Sequence, residues 1–123
     1  MISLEAQRAV VLIFAMEDCP ACESYIPRVV AEIQALNGQL AAQGTSFVVN
    51  PETQPEPGTV PVFLYDAASP DPEVQKLADR FGVTATPTTV VAARGTGAFK
   101  AEGSLANNQI QWILMMAAEV SKR

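Results

Sequence analysis

At 123 residues the chain fits one domain spanning residues 1–123, and a chain of this size buries roughly two-thirds of the surface its unfolded form exposes. A hydrophobic content of 49% against 17% charged residues excludes a disordered chain. A net charge of -5 and an isoelectric point near 4.6 argue against nucleic acid and acidic membrane surfaces as partners, because both are held largely by neutralising phosphates.

No run of about 18 apolar residues occurs, so no membrane-spanning helix is expected. Met1 to Arg8 lacks the basic start of a secretory signal, and the apolar run behind it ends in acidic residues and cysteines. Taken as the native start, it implies a cytoplasmic protein, where a disulfide is usually catalytic or sensory.

In chain order, residues 3–8 suit one or two helical turns, with Ser3 as cap. Residues 9–15 do not alternate with polar ones and read as a strand buried on both faces. Behind Cys22, the spacing of Tyr25, Val29, Ile33 and Leu36 predicts a helix. It should kink at Pro27 and break near Asn37-Gly38, or resume to Gln43-Gly44. Thr45 to Val49 is a short strand. Asn50 to Gly58, with Pro51, Pro55 and Pro57, is an irregular surface loop or a specificity element.

Val60 to Tyr65 is the next strand, with Pro61 best suited to its start or to an edge. Asp71-Pro72 opens a helix through Val74, Leu77, Ala78 and Phe81, which Gly82 stops. Thr88 to Ala93 is a strand, Arg94-Gly95-Thr96-Gly97 a hairpin turn, and Ala98 to Glu102 the returning strand. Ser104 or Asn107 caps a last helix whose apolar face is Leu105, Ile110, Ile113, Leu114 and Ala117; Trp112 on it reads as packing. The whole is one α/β domain with a central mixed sheet flanked by helices.

The chemistry centres on Cys19-Pro20-Ala21-Cys22, which holds both cysteines of the chain. Three readings compete. The pair could be small core hydrophobes, but Pro20 favours the first helical turn, near the surface. It could be half of a zinc site, but such a site needs four ligands, and there is no further Cys and no His, leaving only Glu17 or Asp18 to complete it. Redox chemistry fits best. Two intervening residues in a first turn bring the sulfurs within bonding range. Cys19 at the helix start meets unpaired N–H groups and the positive end of the dipole, which favours its thiolate. Cys19 then attacks a substrate disulfide, and Cys22, more buried, resolves the mixed disulfide.

At this point the chain resembles the thioredoxin superfamily. The resemblance rests on the apolar strand before Cys19-Pro20-Ala21-Cys22 and on Pro27 at the spacing of the family's helix-kinking proline. It rests also on Phe81-Gly82-Val83-Thr84-Ala85-Thr86-Pro87-Thr88, and on the closing hairpin, Gly103 and final helix. Together these span roughly residues 9–120 and imply a thioredoxin-like fold. The family likeness implies a cis bond before Pro87 and a backbone at Thr86 that receives an extended substrate peptide, with Pro20 and Ala21 on the same surface. It also implies electron transport and cell redox homeostasis, disulfide-bonded protein substrates, electrons from a reductase or small thiol, no resident cofactor or metal, and a monomer.

Four positions depart from the family. Asp18 stands where thioredoxins carry a tryptophan, and with Glu17 and Glu23 it surrounds the thiols with negative charge. Ile13 takes the place of the family's buried aspartate, and Val62 that of its partner lysine, so proton transfer falls to water, Glu17 or Asp18. Thr86 replaces the usual aliphatic residue, as in isomerase-type members. The leading expectation is a protein-disulfide reductase. A disulfide isomerase or oxidase, or a non-catalytic thioredoxin-fold module, are the alternatives.

Overall fold

The computed structural model describes residues 8–95 and 97–122. The helical turns expected over residues 3–8 fall, apart from Arg8, outside those described. The elements run β1 (Ala9–Ala15), α1 (Pro20–Leu40), a 3-10 turn (Ala41–Gln43), β2 (Ser46–Val49), β3 (Thr59–Asp66), α2 (Pro72–Arg80), β4 (Thr88–Ala93), β5 (Gly97–Glu102) and α3 (Asn107–Ser121). One five-stranded sheet has the order β2-β3-β1-β4-β5. β1, β3 and β2 are parallel, and β4 and β5 run against them.

β1 lies at the centre, and its unalternating sequence follows from that place. Val11 and Ile13 point into a core shared with α1 and α3, while Val10, Leu12 and Phe14 point into a second core with α2. From Val11 to Phe14 no residue exceeds 1% exposure. Each such side chain contributes about 1.5–3 kcal/mol of transfer free energy. α1 covers one face with a stripe at helical spacing: Cys22, Tyr25, Val29, Ile33, Leu36 and Leu40.

Several expectations are corrected. Of the two ends expected for the helical segment, the structure has the further one: α1 does not break at Asn37-Gly38 but runs to Leu40, whose side chain is buried, and the 3-10 turn carries the chain on to Gly44 in the left-handed conformation. Asn37 has a different task. Its amide accepts from the Phe47 N–H at 2.7 Å and donates to the Phe47 carbonyl at 3.0 Å, which occupies the outer edge of β2. Pro61 lies inside β3, an internal strand, and not at an edge. It is tolerated because the β1–β3 register begins at Val11↔Val62, one residue further on. α3 is capped neither by Ser104 nor by Asn107: Ala106 occupies the cap, and its N–H donates to the Gln109 side chain at 2.8 Å. Trp112, expected to pack, does so at the surface: it is 57% exposed and meets Phe99 edge-on at 5.9 Å.

The other boundaries follow the sequence closely. Asp71 caps α2 by accepting from the Glu73 N–H at 2.9 Å, and Gly82 ends it at φ 63°. Segment 50–58 is irregular, as its prolines require, and joins two parallel strands without a crossover helix. It is closed at both ends: Asn50 caps the far side by accepting from Leu64 N–H at 2.9 Å, and the Gly58 carbonyl accepts from Ser46 N–H at 3.1 Å.

Two glycines therefore respond oppositely to a methyl group. Gly38 lies within α1 with open space around it, whereas Gly58 has φ +90° and a Cβ there would sit 2.5 Å from the Gly44 carbonyl oxygen. Gly38→Ala is expected to raise unfolding free energy by about 0.5–1 kcal/mol. Gly58→Ala should lower it by about 1–3 kcal/mol. Urea unfolding of both variants at unchanged m-value is the check.

Candidate active site

β1 ends at Ala15, and a turn through exposed Glu17 and Asp18 leads into α1. Asp18 adopts φ 56°, a conformation that Asp tolerates better than most residues, which accounts for an aspartate at the bend. Cys19 follows as the N-cap of α1, extended at φ -113° and ψ 95°, with Pro20 as the first helical residue. Its sulfur accepts from the Cys22 N–H at 3.2 Å, so it stands in the usual place of a capping oxygen.

Cys19 is half-buried and Cys22, one turn inside, is only 3% exposed. The two are joined as a disulfide with Cα atoms 5.2 Å apart. Helix phase sets the difference: Cys22 begins the buried stripe of α1, whereas Cys19 sits on the cap beyond it. Pro20 and Ala21 lie between them on the exposed surface.

The opposite wall comes from the segment before β4. The Thr86-Pro87 bond is cis. Pro87 is buried and Thr86 half-buried. The Thr86 hydroxyl donates to Cys19 Sγ at 3.5 Å, and the Thr86 carbonyl oxygen lies 3.8 Å from the same sulfur. A disulfide sulfur has no proton to give, so the second approach is a contact in this oxidised form and becomes a donor pair when Cys19 is a thiol. Thr88 donates to the Ala85 carbonyl at 2.6 Å, and the Pro87 carbonyl accepts from Gly103 N–H at 2.8 Å.

Long-range contacts for which the sequence reading had no role complete the frame. Ser104 donates to the Ala21 carbonyl at 3.4 Å. Arg28 of α1 donates to the Asn107 side chain at 3.0 Å and also to the Leu105 carbonyl. The β5–α3 link is thereby tied to the first three turns of α1. On the same buried stripe of α1 as Cys22, the Tyr25 hydroxyl and Thr89 Oγ1 are 2.8 Å apart. Thr89 is the register partner of Ile13 on β4, and Leu64 its partner on β3, with Val62 beside Val11. Where the family has a buried carboxylate, this chain has an isoleucine, with a neutral hydroxyl pair beside it. The available signal was the phase of Tyr25, on the same helical stripe as Cys22.

The site thus gathers Cys19, Cys22, Thr86 and Pro87. Glu17 and Asp18 stay on the exposed turn, with no hydrogen bond or ion pair to either sulfur among the described residues.

A family model of the thioredoxin-like domain matches residues 2–118. The chain belongs to that family. Solved structures agree: this thioredoxin-like domain is similar to mitochondrial thioredoxin 3 of Saccharomyces cerevisiae in its oxidised form, at 20% identity and TM-score 0.56, covering 90% of this chain and 81% of that one. It is similar to the Malassezia sympodialis thioredoxin at 16% identity and TM-score 0.58, covering 91% and 76%. It is also similar to the germline-specific thioredoxin Deadhead of Drosophila melanogaster at 13% identity and TM-score 0.55, covering 91% and 83%. At such identities the likeness carries the fold. No curated protein sequence matches the domain.

Burial raises the pKa of Tyr25 above the usual 10.0, against smaller lowering effects of Thr89 and Arg28; burial likewise raises that of Tyr65. The folded state holds these protons more tightly than the unfolded one. Their contribution is therefore complete below about pH 10 and is lost as pH rises through the raised values. Alkaline titration followed at 295 nm should show tyrosinate appearing together with unfolding. Tyr25→Phe leaves the Thr89 hydroxyl buried without its partner, at a cost of about 1–3 kcal/mol. Adding Thr89→Val should recover part of that loss in the same urea experiment.

Proposed function

We propose that this thioredoxin-like domain is a thiol–disulfide oxidoreductase acting as a protein-disulfide reductase through Cys19 and Cys22. The observation that carries the reading is the unequal placement of the two sulfurs: one half-buried on a helix cap beside Thr86, the other sealed a turn deeper. The reduced Cys19 thiolate attacks one sulfur of a substrate disulfide, forms a mixed disulfide and expels the other substrate sulfur as a thiolate. Cys22, losing its proton, attacks Cys19 Sγ. The second substrate sulfur leaves, and the Cys19–Cys22 disulfide remains. Two electrons have passed to the substrate, and a reductase or small thiol returns them. The backbone N–H of Thr86 engages no other backbone group among the described residues, which supports an extended substrate chain pairing there. With Ile13 apolar, the proton of Cys22 goes to water, or to Glu17 or Asp18 across the turn.

The Thr86 hydroxyl beside Cys19 favours a second reading, an isomerase or oxidase, because a donor to the thiolate stabilises the reduced form. A redox potential for the pair near about -270 mV identifies the reductase, and one between about -180 and -120 mV the isomerase or oxidase.

Cys22→Ser is expected to accumulate a mixed disulfide with a disulfide-bonded protein substrate, visible on a non-reducing gel. Cys19→Ser should form none, and neither variant should turn over. Equal inactivity of the wild type and both variants would remove the proposal.

A further inference from the structure

A cavity of about 430 Å³ lies on the α2 face of the sheet at the end away from the cysteines. Its floor is a row of register partners across neighbouring strands, Val10↔Ala92 and Ala92↔Ala98, so that β1, β4 and β5 each contribute one residue. Ala92 and Ala98 carry only a methyl group. Together with Gly97 they leave open the space that larger side chains would fill. Val10 is the second residue of β1, whereas Cys19 follows the strand's far end, so most of the strand's length separates this cavity from the disulfide.

The walls are cationic. Arg80, in the last turn of α2, and Arg94, just after β4, both line the cavity, and among the described residues no carboxylate does. This is notable in a chain with 13 acidic and 8 basic residues. Among the described residues neither guanidinium has a carboxylate partner. Arg80 is held over the Phe81 ring, 5.2 Å from its centroid, and Phe81 lines the same cavity. Arg94 is anchored through its backbone N–H, which donates to the Arg8 carbonyl at 2.9 Å. A cation in the last turn suits the dipole of α2, but that explains Arg80 alone and leaves Arg94 without a role.

From these features we infer that the cavity binds a small organic anion, its carboxylate or phosphate head between Arg80 and Arg94 and its flat apolar body over Val10, Ala92 and Ala98. The chemistry is that of guanidinium groups, which offer paired donors to planar or tetrahedral oxyanions. The volume lies within the range of sites that enclose one such molecule. The inference is independent of the thiol chemistry and stands or falls without it.

Isothermal titration of the full chain with 1-naphthyl phosphate, 1-naphthylacetate, neutral 1-naphthalenemethanol and inorganic phosphate is the test. At least one naphthyl anion should bind with a dissociation constant of about 1 mM or tighter. The neutral alcohol and inorganic phosphate should each bind at least about tenfold more weakly, since one lacks the head and the other the body. Whichever of the two naphthyl anions binds more tightly identifies the head group. The double variant Arg80→Gln/Arg94→Gln, with wild-type circular dichroism, should lose at least about tenfold in affinity. Amide shifts of Gly97 and Ala98 in the wild type should move on titration with the bound anion, a readout that needs no variant. The inference is overturned by absence of saturable binding at millimolar concentration, by equal binding of the neutral alcohol, or by unchanged affinity in the double variant.

Discussion

Burial of β1 on both faces is the constraint on which the rest of the structure depends. A strand packed by α1 and α3 on one side and by α2 on the other cannot carry polar residues on either. Its carboxyl end is therefore held firmly, and the chain leaves it in one direction only, through the Asp18 bend into α1. The same packing sets the phase of α1. Its buried stripe begins at Cys22, so the residue one turn earlier falls on the helix cap. The inequality of the two sulfurs is thus a consequence of core packing.

The site needs more than its own helix. Thr86, next to the cis-bonded Pro87, reaches Cys19 from the entry to β4, a strand that lies against β1 only because the sheet places it there. The β5–α3 link closes the frame through Ser104 and Arg28. Beneath, the Tyr25–Thr89 hydroxyl pair satisfies itself and leaves no buried side-chain polar atom without a partner among the described residues. A neutral pair of this kind avoids the desolvation penalty of a buried carboxylate. It also gives up a ready proton acceptor near Cys22.

Charge is distributed unevenly along the same axis. Glu17, Asp18 and Glu23 stand at the cysteine end, and Arg80 and Arg94 line the cavity at the other. The edges of the sheet are treated differently as well. On β2 the Asn37 amide occupies the outward N–H and carbonyl of Phe47. β5 instead leaves its outer face largely exposed, with Phe99 and Trp112 in edge-on contact.

By itself the sequence determined the elements whose signal is local. The apolar run of β1, the stripe of α1, the Asp71-Pro72 start and Gly82 stop of α2, and the paired thiols at a helix start are all dictated within a few neighbouring residues. Likeness to a family added the cis bond at Pro87 and the position of Thr86. Tertiary structure alone decided what depends on partners distant in the chain. Asn37-Gly38 reads as a stop until Phe47, ten residues on, supplies a use for Asn37 within an unbroken helix. Pro61 reads as a strand-start or edge residue until the register shows that its missing N–H precedes the ladder with β1. Trp112 reads as packing without a partner until the fold sets it against Phe99 at the surface, and Tyr25 as mere packing until the sheet brings Thr89 to its hydroxyl. The physical reason is common to all four. Propensity and periodicity act through the nearest few residues, whereas hydrogen-bond partners and burial are set by which strands the sheet makes neighbours.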